Sequence, residues 1–252
     1  MKFMRRKLSL VTCAAVLVVI AIVGRAVAQD EGETDLILGP QFPKDFGVAK
    51  DSVSPDGRYG VLAPTDWDHY KENGQPQNRL VEIKTGKVIE TIQAETGLVH
   101  MNHGGILPAR WSADGAYLLW SVDGKWTPRA LVLLKIENGR VKWQRDLLGL
   151  NQKEILARTR KAAPAKYAAG KKQNRGNGSA YPDGFTVNVS VNGDENTPLQ
   201  LPLSIHVQLE SNPKAIEDYP EKADITSEML TTVGADGNLA VKDFHLGISD
   251  PH

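Results

Sequence analysis

The last third of the chain alternates strictly. Phe185, Val187, Val189 and Val191 take every second position, with Thr186, Asn188, Ser190 and Asn192 between them. Leu203, Ile205, Val207 and Leu209 repeat the pattern against Ser204, His206, Gln208 and Glu210. Period two predicts strands of a sheet with one buried and one wet face. Ala235-Asp236-Gly237-Asn238 then joins two further strands, over roughly 225–233 and 239–246. Residues 184–252 are therefore expected to form a small antiparallel sheet, packed on a helix or on the units that precede it.

Alternation also runs through residues 48–148, organised as a repeat. Ser54-Pro55-Asp56-Gly57-Arg58-Tyr59 is echoed by Ser112-Ala113-Asp114-Gly115-Ala116-Tyr117, and Val81-x-Ile83-x-x-Gly86-x-Val88 by Leu134-x-Ile136-x-x-Gly139-x-Val141. The two offsets differ by a short insertion, which falls in the intervening loop where added length is thermodynamically cheap. Asp-Gly between strand-like runs predicts a two-residue hairpin turn with positive φ, and Thr85-Gly86 and Asn138-Gly139 predict a second turn in each unit. After the first turn, Tyr59, Val61 and Ala63 alternate with Arg58, Gly60 and Leu62. In the second unit Tyr117, Leu119 and Ser121 alternate with Leu118, Trp120 and Val122, so both faces of that strand are expected to be buried. Each unit reads as three or four antiparallel strands.

Ser-Pro-Asp-Gly-Arg-Tyr, an apolar strand and a strand-(Thr/Asn)-Gly-strand hairpin together resemble a blade of the TolB-like or WD40-like (PD40-type) β-propeller repeat, over about residues 48–148. The resemblance implies blade-like sheets, in a family that includes binding scaffolds and propeller domains attached to peptidases. Two units cannot close a ring of four to eight blades, so the expectation is two blade-like sheets packed against each other. The expected fold is mainly β: two blade-like antiparallel units, one connecting α-helix and a C-terminal antiparallel sheet.

All five tryptophans lie within the repeat region, and a different pattern follows it. Residues 149–170 predict a helix, with Asn151 as N-cap and Glu154 three positions on, resembling a capping box. Ile155, Leu156, Thr159, Ala162 and Ala163 share its apolar face, and Pro164 should kink or end it. Residues 171–183, rich in Lys, Asn and Gly, predict an exposed linker.

The first 28 residues change the setting. Lys2, Arg5, Arg6 and Lys7 form a basic head, Leu8 to Val23 is an apolar run, and Ala26-Val27-Ala28 is a small-x-small signal. This order predicts a signal peptide cleaved after Ala28 and a periplasmic or secreted protein. The alternative is an uncleaved anchor, but the apolar run of 16 residues is short of the roughly 20 that a membrane helix needs. No stable membrane span is expected after cleavage. The leader carries five of the 30 basic residues and no acid, leaving 25 basic against 30 acidic side chains, a net charge of about −5. That balance disfavours a nucleic-acid binder. Cleavage also removes Cys13, the only cysteine, and with it thiol catalysis, disulfides and cysteine-based metal sites. Residues 29–47 read as an acidic lead-in punctuated by Pro and Gly.

Three stretches carry candidate chemistry. Asp66-Trp67-Asp68-His69-Tyr70 lies in a long aromatic loop, where carboxylate and imidazole could ligate a metal and the rings could stack on a sugar or peptide. His100 and His103, flanked by Gly104-Gly105, form a second polar loop. The third is a basic run in which Arg158, Arg160, Lys161, Lys166, Lys171 and Lys172 face a single acid, Glu154, and could attract an anionic glycan or a protein partner. Solvated or core-filling roles are the simpler reading of each stretch. No cofactor is implied, and no resident metal site has a recognised ligand spacing. Gly176-Asn177-Gly178-Ser179-Ala180 is not the GxSxG nucleophile elbow. The reading is an exported, non-enzymatic binding or interaction protein of the periplasm or cell envelope. The alternatives are a metal- or carboxylate-dependent hydrolase using the Asp66–Tyr70 and His100–His103 loops, and a structural envelope component.

Overall fold

A computed structural model of the chain describes residues 36–65, 78–93, 105–124, 128–173, 182–193, 197–211 and 225–247. The fold is mainly β, with three antiparallel sheets and two helices. The first sheet is a five-stranded meander of β1 (Leu36–Ile37), β2 (Phe46–Ala49), β3 (Tyr59–Pro64), β4 (Arg79–Glu82) and β5 (Lys87–Thr91). It begins earlier than composition suggests, because β1 and part of β2 come from the 29–47 lead-in. The second sheet holds β6 (Gly105–Ile106), β7 (Arg110–Trp111), β8 (Tyr117–Asp123), β9 (Pro128–Glu137) and β10 (Arg140–Asp146), with β6 and β7 both pairing with β8. Helices α1 (Leu147–Ala162) and α2 (Pro164–Gln173) follow. The third sheet is the meander β11 (Phe185–Val191), β12 (Leu203–Ser211), β13 (Thr226–Val233) and β14 (Leu239–Leu246).

The second sheet is the middle layer. On one face Leu118, Trp120, Val122, Val132 and Leu134 share a core with Tyr59, Val61, Ala63 and Leu80 of the first sheet. On the other face Leu119, Leu131 and Leu133 share a core with Leu147 and Ile155 of α1 and with Val187, Ile205, Val207 and Leu209 of the third sheet. This explains the unbroken apolar run in β9, since a strand covered on both sides has no wet face to alternate with. Hydrogen bonds fasten the first two sheets together. Trp111 Nε1 donates to Ser52 O at 2.9 Å, and the Gln144 amide accepts from Gln93 N and donates to Thr91 O.

The turns refine the hairpin expectation. Asn138 and Gly139 both have positive φ and join β9 to β10 as a two-residue turn, as their sequence predicts. The Asp-Gly turns are instead four-residue loops. Gly57 N donates to Ser54 O, Ser54 N to Tyr59 O, and only the glycine has positive φ (70°). Ser54 Oγ accepts from Tyr59 N and donates to Asp56 Oδ1, which also accepts from Arg58 N. Ser112, Asp114 and Tyr117 repeat this arrangement. The side chains themselves close the loop, and a two-residue turn would leave them no room. Asp236 Oδ1 accepts from Asn238 N in the β13–β14 turn, the same carboxylate bond in the third sheet.

The helix also differs from expectation at both ends. It starts at Leu147, and its N-cap is Asp146, which accepts from Gly149 N at 3.0 Å. Asn151 is not a cap: it lies one turn inside and fully buried, donating to Leu147 O and accepting from Thr231 Oγ1. Leu147, Asn151, Ile155 and Thr159, spaced by four, form the buried stripe, while Ala162 is exposed. Thr159 and Ser227 hydroxyls meet at 2.6 Å, so two buried polar contacts fix α1 on β13. Pro164 ends α1 and opens α2, where its missing N–H is harmless. The expected linker from 171 is helical as far as Gln173.

Candidate functional site

The Asp66–Tyr70 and His100–His103 candidates (Asp66, Trp67, Asp68, His69, Tyr70, His100 and His103) lie outside the described residues. The basic run is described, and local structure accounts for much of it. Arg158 bonds Glu154 one turn back at 2.7 Å, and Lys171 bonds Asp183 at 2.6 Å. Arg160 and Lys161 occupy the last turn of α1, as Lys171 and Lys172 do that of α2, where cations offset the negative helix end. Lys166 is exposed on α2. Asp183 also accepts from Tyr167 Oη at 2.6 Å. Partial burial alone would raise the Asp183 carboxyl, but Lys171 and Tyr167 outweigh it and hold the group below its ordinary value. Burial and the Asp183 bond push the Tyr167 hydroxyl well above its own.

The third sheet carries a polar cluster on its outer face. Cross-strand register aligns Gln208, Glu228 and His245. The Glu228 carboxylate, on a side chain only 8% exposed, accepts from Gln208 Nε2 at 2.9 Å. His245 Nε2 lies 3.1 Å from it and His206 Nε2 3.7 Å. A buried carboxylate must be compensated, and three strands contribute to doing so. Among the described residues no group of three or more His, Cys, Asp or Glu side chains has the geometry to hold a metal ion. The cluster is a clasp across β12, β13 and β14.

A cleft of about 490 Å³ opens between the second and third sheets, within the size range of small-molecule sites. Its position follows from strand periodicity. Leu119, Ser121 and Asp123 occupy alternate positions of β8, so all three side chains face the third sheet. Leu107, Leu131, Val189 and Val191 supply apolar wall, while Arg110, Ser121, Asp123 and Ser190 supply the polar groups. Arg110 is set between fixed neighbours. Ala109 N donates to Asp51 O, Trp111 Nε1 to Ser52 O, and Leu199 N to Trp111 O. Its guanidinium Nε is sealed from solvent and has no hydrogen-bond partner among the described residues. Desolvation raises the Asp123 carboxyl above its ordinary value, although the residue as a whole stands open at the rim.

Sequence reasoning passed over these residues because they are scattered across β7, β8 and the end of β11. One signal was available: Arg110 is the only charge in the apolar run Ile106-Leu107-Pro108-Ala109-Arg110-Trp111. No known family model matches the chain, and no curated protein matches it. No helix among the described residues is long and apolar enough to cross a membrane.

Proposed function

We propose that this chain is an exported, non-enzymatic binding protein of the periplasm or cell envelope, made of blade-like sheets, with its ligand site between the second and third sheets. The observation that carries the reading is the cleft. It is concave and mostly apolar, and its lining holds a few polar groups, the half-buried Arg110 guanidinium among them. That is the general form of a small-molecule site. The basic head, apolar run and Ala26-Val27-Ala28 of the leader support export. The Ser-x-Asp-Gly turns of the first two sheets support the likeness to propeller blades, and the basic face of α1 and α2 offers a second contact surface for a protein or anionic glycan.

The test has two arms. Intact mass of the protein recovered from the envelope or medium should correspond to a chain beginning at Gln29; retention in the cytoplasm with residues 1–28 attached would refute export. That recovered protein is then screened by thermal shift against divalent metals with and without chelator, soluble wall fragments, anionic glycans and small organic acids. A ligand at about 100 times its dissociation constant adds roughly 2.7 kcal/mol of stability. Turnover of any probe, or a metal-dependent shift reversed by chelator, would count against a non-enzymatic binder.

A further inference from the structure

We propose that the cleft takes a small organic monocarboxylate, its acid group seated on Arg110 and its apolar body against Leu119, Leu131 and Val189. The inference rests on the binding-protein reading above and names the ligand class of that site.

Arg110 is the cation of the cleft wall, and its surroundings make it more than a solvated charge. The residue is half-buried in the cleft wall, its Nε enclosed and without a hydrogen-bond partner among the described residues, so the outer end of the guanidinium is the part a ligand meets. A buried donor left unmade is unfavourable, and a charged one more so. A guanidinium presents donors in a planar fork that matches a carboxylate in two parallel bonds. The backbone bonds on both sides of Arg110 hold the strand that carries it, so the backbone at the site needs no ordering on binding. The leucine and valine walls lower the local dielectric, which strengthens the pair.

Asp123 narrows the class further. It lines the same cleft and would repel a second negative charge, so a phosphate dianion fits less well than a carboxylate carrying one charge. Asp123 also offers an acceptor to a hydroxyl or ammonium group on the ligand. The best fit is an apolar acid with a hydrogen-bond donor away from its carboxylate.

Titration calorimetry of the exported protein tests this with four probes that share one alkyl length: octanoate, octanol, octylamine and octyl phosphate. Octanoate should bind about 10- to 100-fold more tightly than octanol, the range expected for charge-assisted hydrogen bonds. Arg110→Gln should abolish that preference, and Arg110→Lys should restore part of it, because an ammonium supplies charge without the fork. The unliganded Arg110→Gln protein should melt no lower than wild type, since a cation that lacks a bond is being removed. A large loss of unliganded stability would make Arg110 structural and overturn the proposal. Equal binding of octanol and octanoate would overturn the carboxylate class while leaving a cleft that binds. Preference for octyl phosphate would move the class to phosphate esters. Failure of every probe would sink both this proposal and the cleft as a ligand site.

Discussion

The Thr159–Ser227 contact can be measured as a coupling energy. Both residues are 0% exposed, and their hydroxyl oxygens meet at 2.6 Å between α1 and β13. Thr159→Val keeps nearly the same volume and removes one hydroxyl, leaving Ser227 Oγ buried and unpaired. An orphaned polar group of this kind costs about 1–3 kcal/mol. For a chain of this size, about 2 kcal/mol lowers the melting temperature by roughly 4–8 °C. Ser227→Ala should be milder, because a helical threonine can turn its hydroxyl to the carbonyl four residues back, here that of Ile155. The double variant removes the orphan as well, so its loss should fall short of the sum of the singles by about 1 kcal/mol. Urea unfolding followed by tryptophan fluorescence, at constant denaturant slope, supplies all three values. Additivity to within about 0.3–0.5 kcal/mol, or a neutral Thr159→Val, would refute the account of α1 as fixed by buried polar contacts.

Two glycines separate backbone strain from collision. Gly57 and Gly86 share nearly the same φ (70° and 68°), but a Cβ on Gly57 meets nothing within 4 Å, whereas on Gly86 it would strike the carbonyl of Gln41. Gly57→Ala should cost about 1–2 kcal/mol from the left-handed backbone alone, and Gly86→Ala about 1–3 kcal/mol more from forced displacement; equal losses would contradict the packing of Gln41 on that turn. The Asp183 contacts predict an acid response. Its folded pKa lies below its unfolded one, so its contribution is present above the ordinary carboxylate value and lost as pH falls through the folded value. Urea midpoints measured from about pH 6 to about pH 3 should fall more steeply for wild type than for Asp183→Asn, and parallel curves would count against the Lys171 and Tyr167 bonds.

The parts of the fold legible in sequence were those where one face is wet. Alternation in 185–191 and 203–209 located β11 and β12 because water on one side keeps every second residue polar. The two apolar faces of β8 correctly implied cover on both sides, but could not say that α1 and the third sheet provide the second cover. The helix start leaves no signal in the sequence because β10 runs into α1 without a loop. Asp146 thus lacks the usual turn residues, and Asn151 imitates a cap while serving as a buried link to Thr231. The cleft was harder still. Arg110 and Asp123 come together through the pairing of β7 and β8 and the docking of β11, and neither relation leaves a local pattern. The hydroxyls and carboxylates of the Ser-x-Asp-Gly turns were visible as residues, but their bonding selects a longer loop than the dipeptide alone suggests.

A middle sheet covered on both sides has a consequence during synthesis. Leu119, Leu131 and Leu133 emerge about a hundred residues before the last strand of the sheet that shelters them. At ordinary elongation rates that is about 5–20 s. For that interval the nascent chain can complete the first core while the second face stays open to solvent. Apolar surface left open in this way is prone to aggregation, so the yield of folded protein should rise with holdase supply.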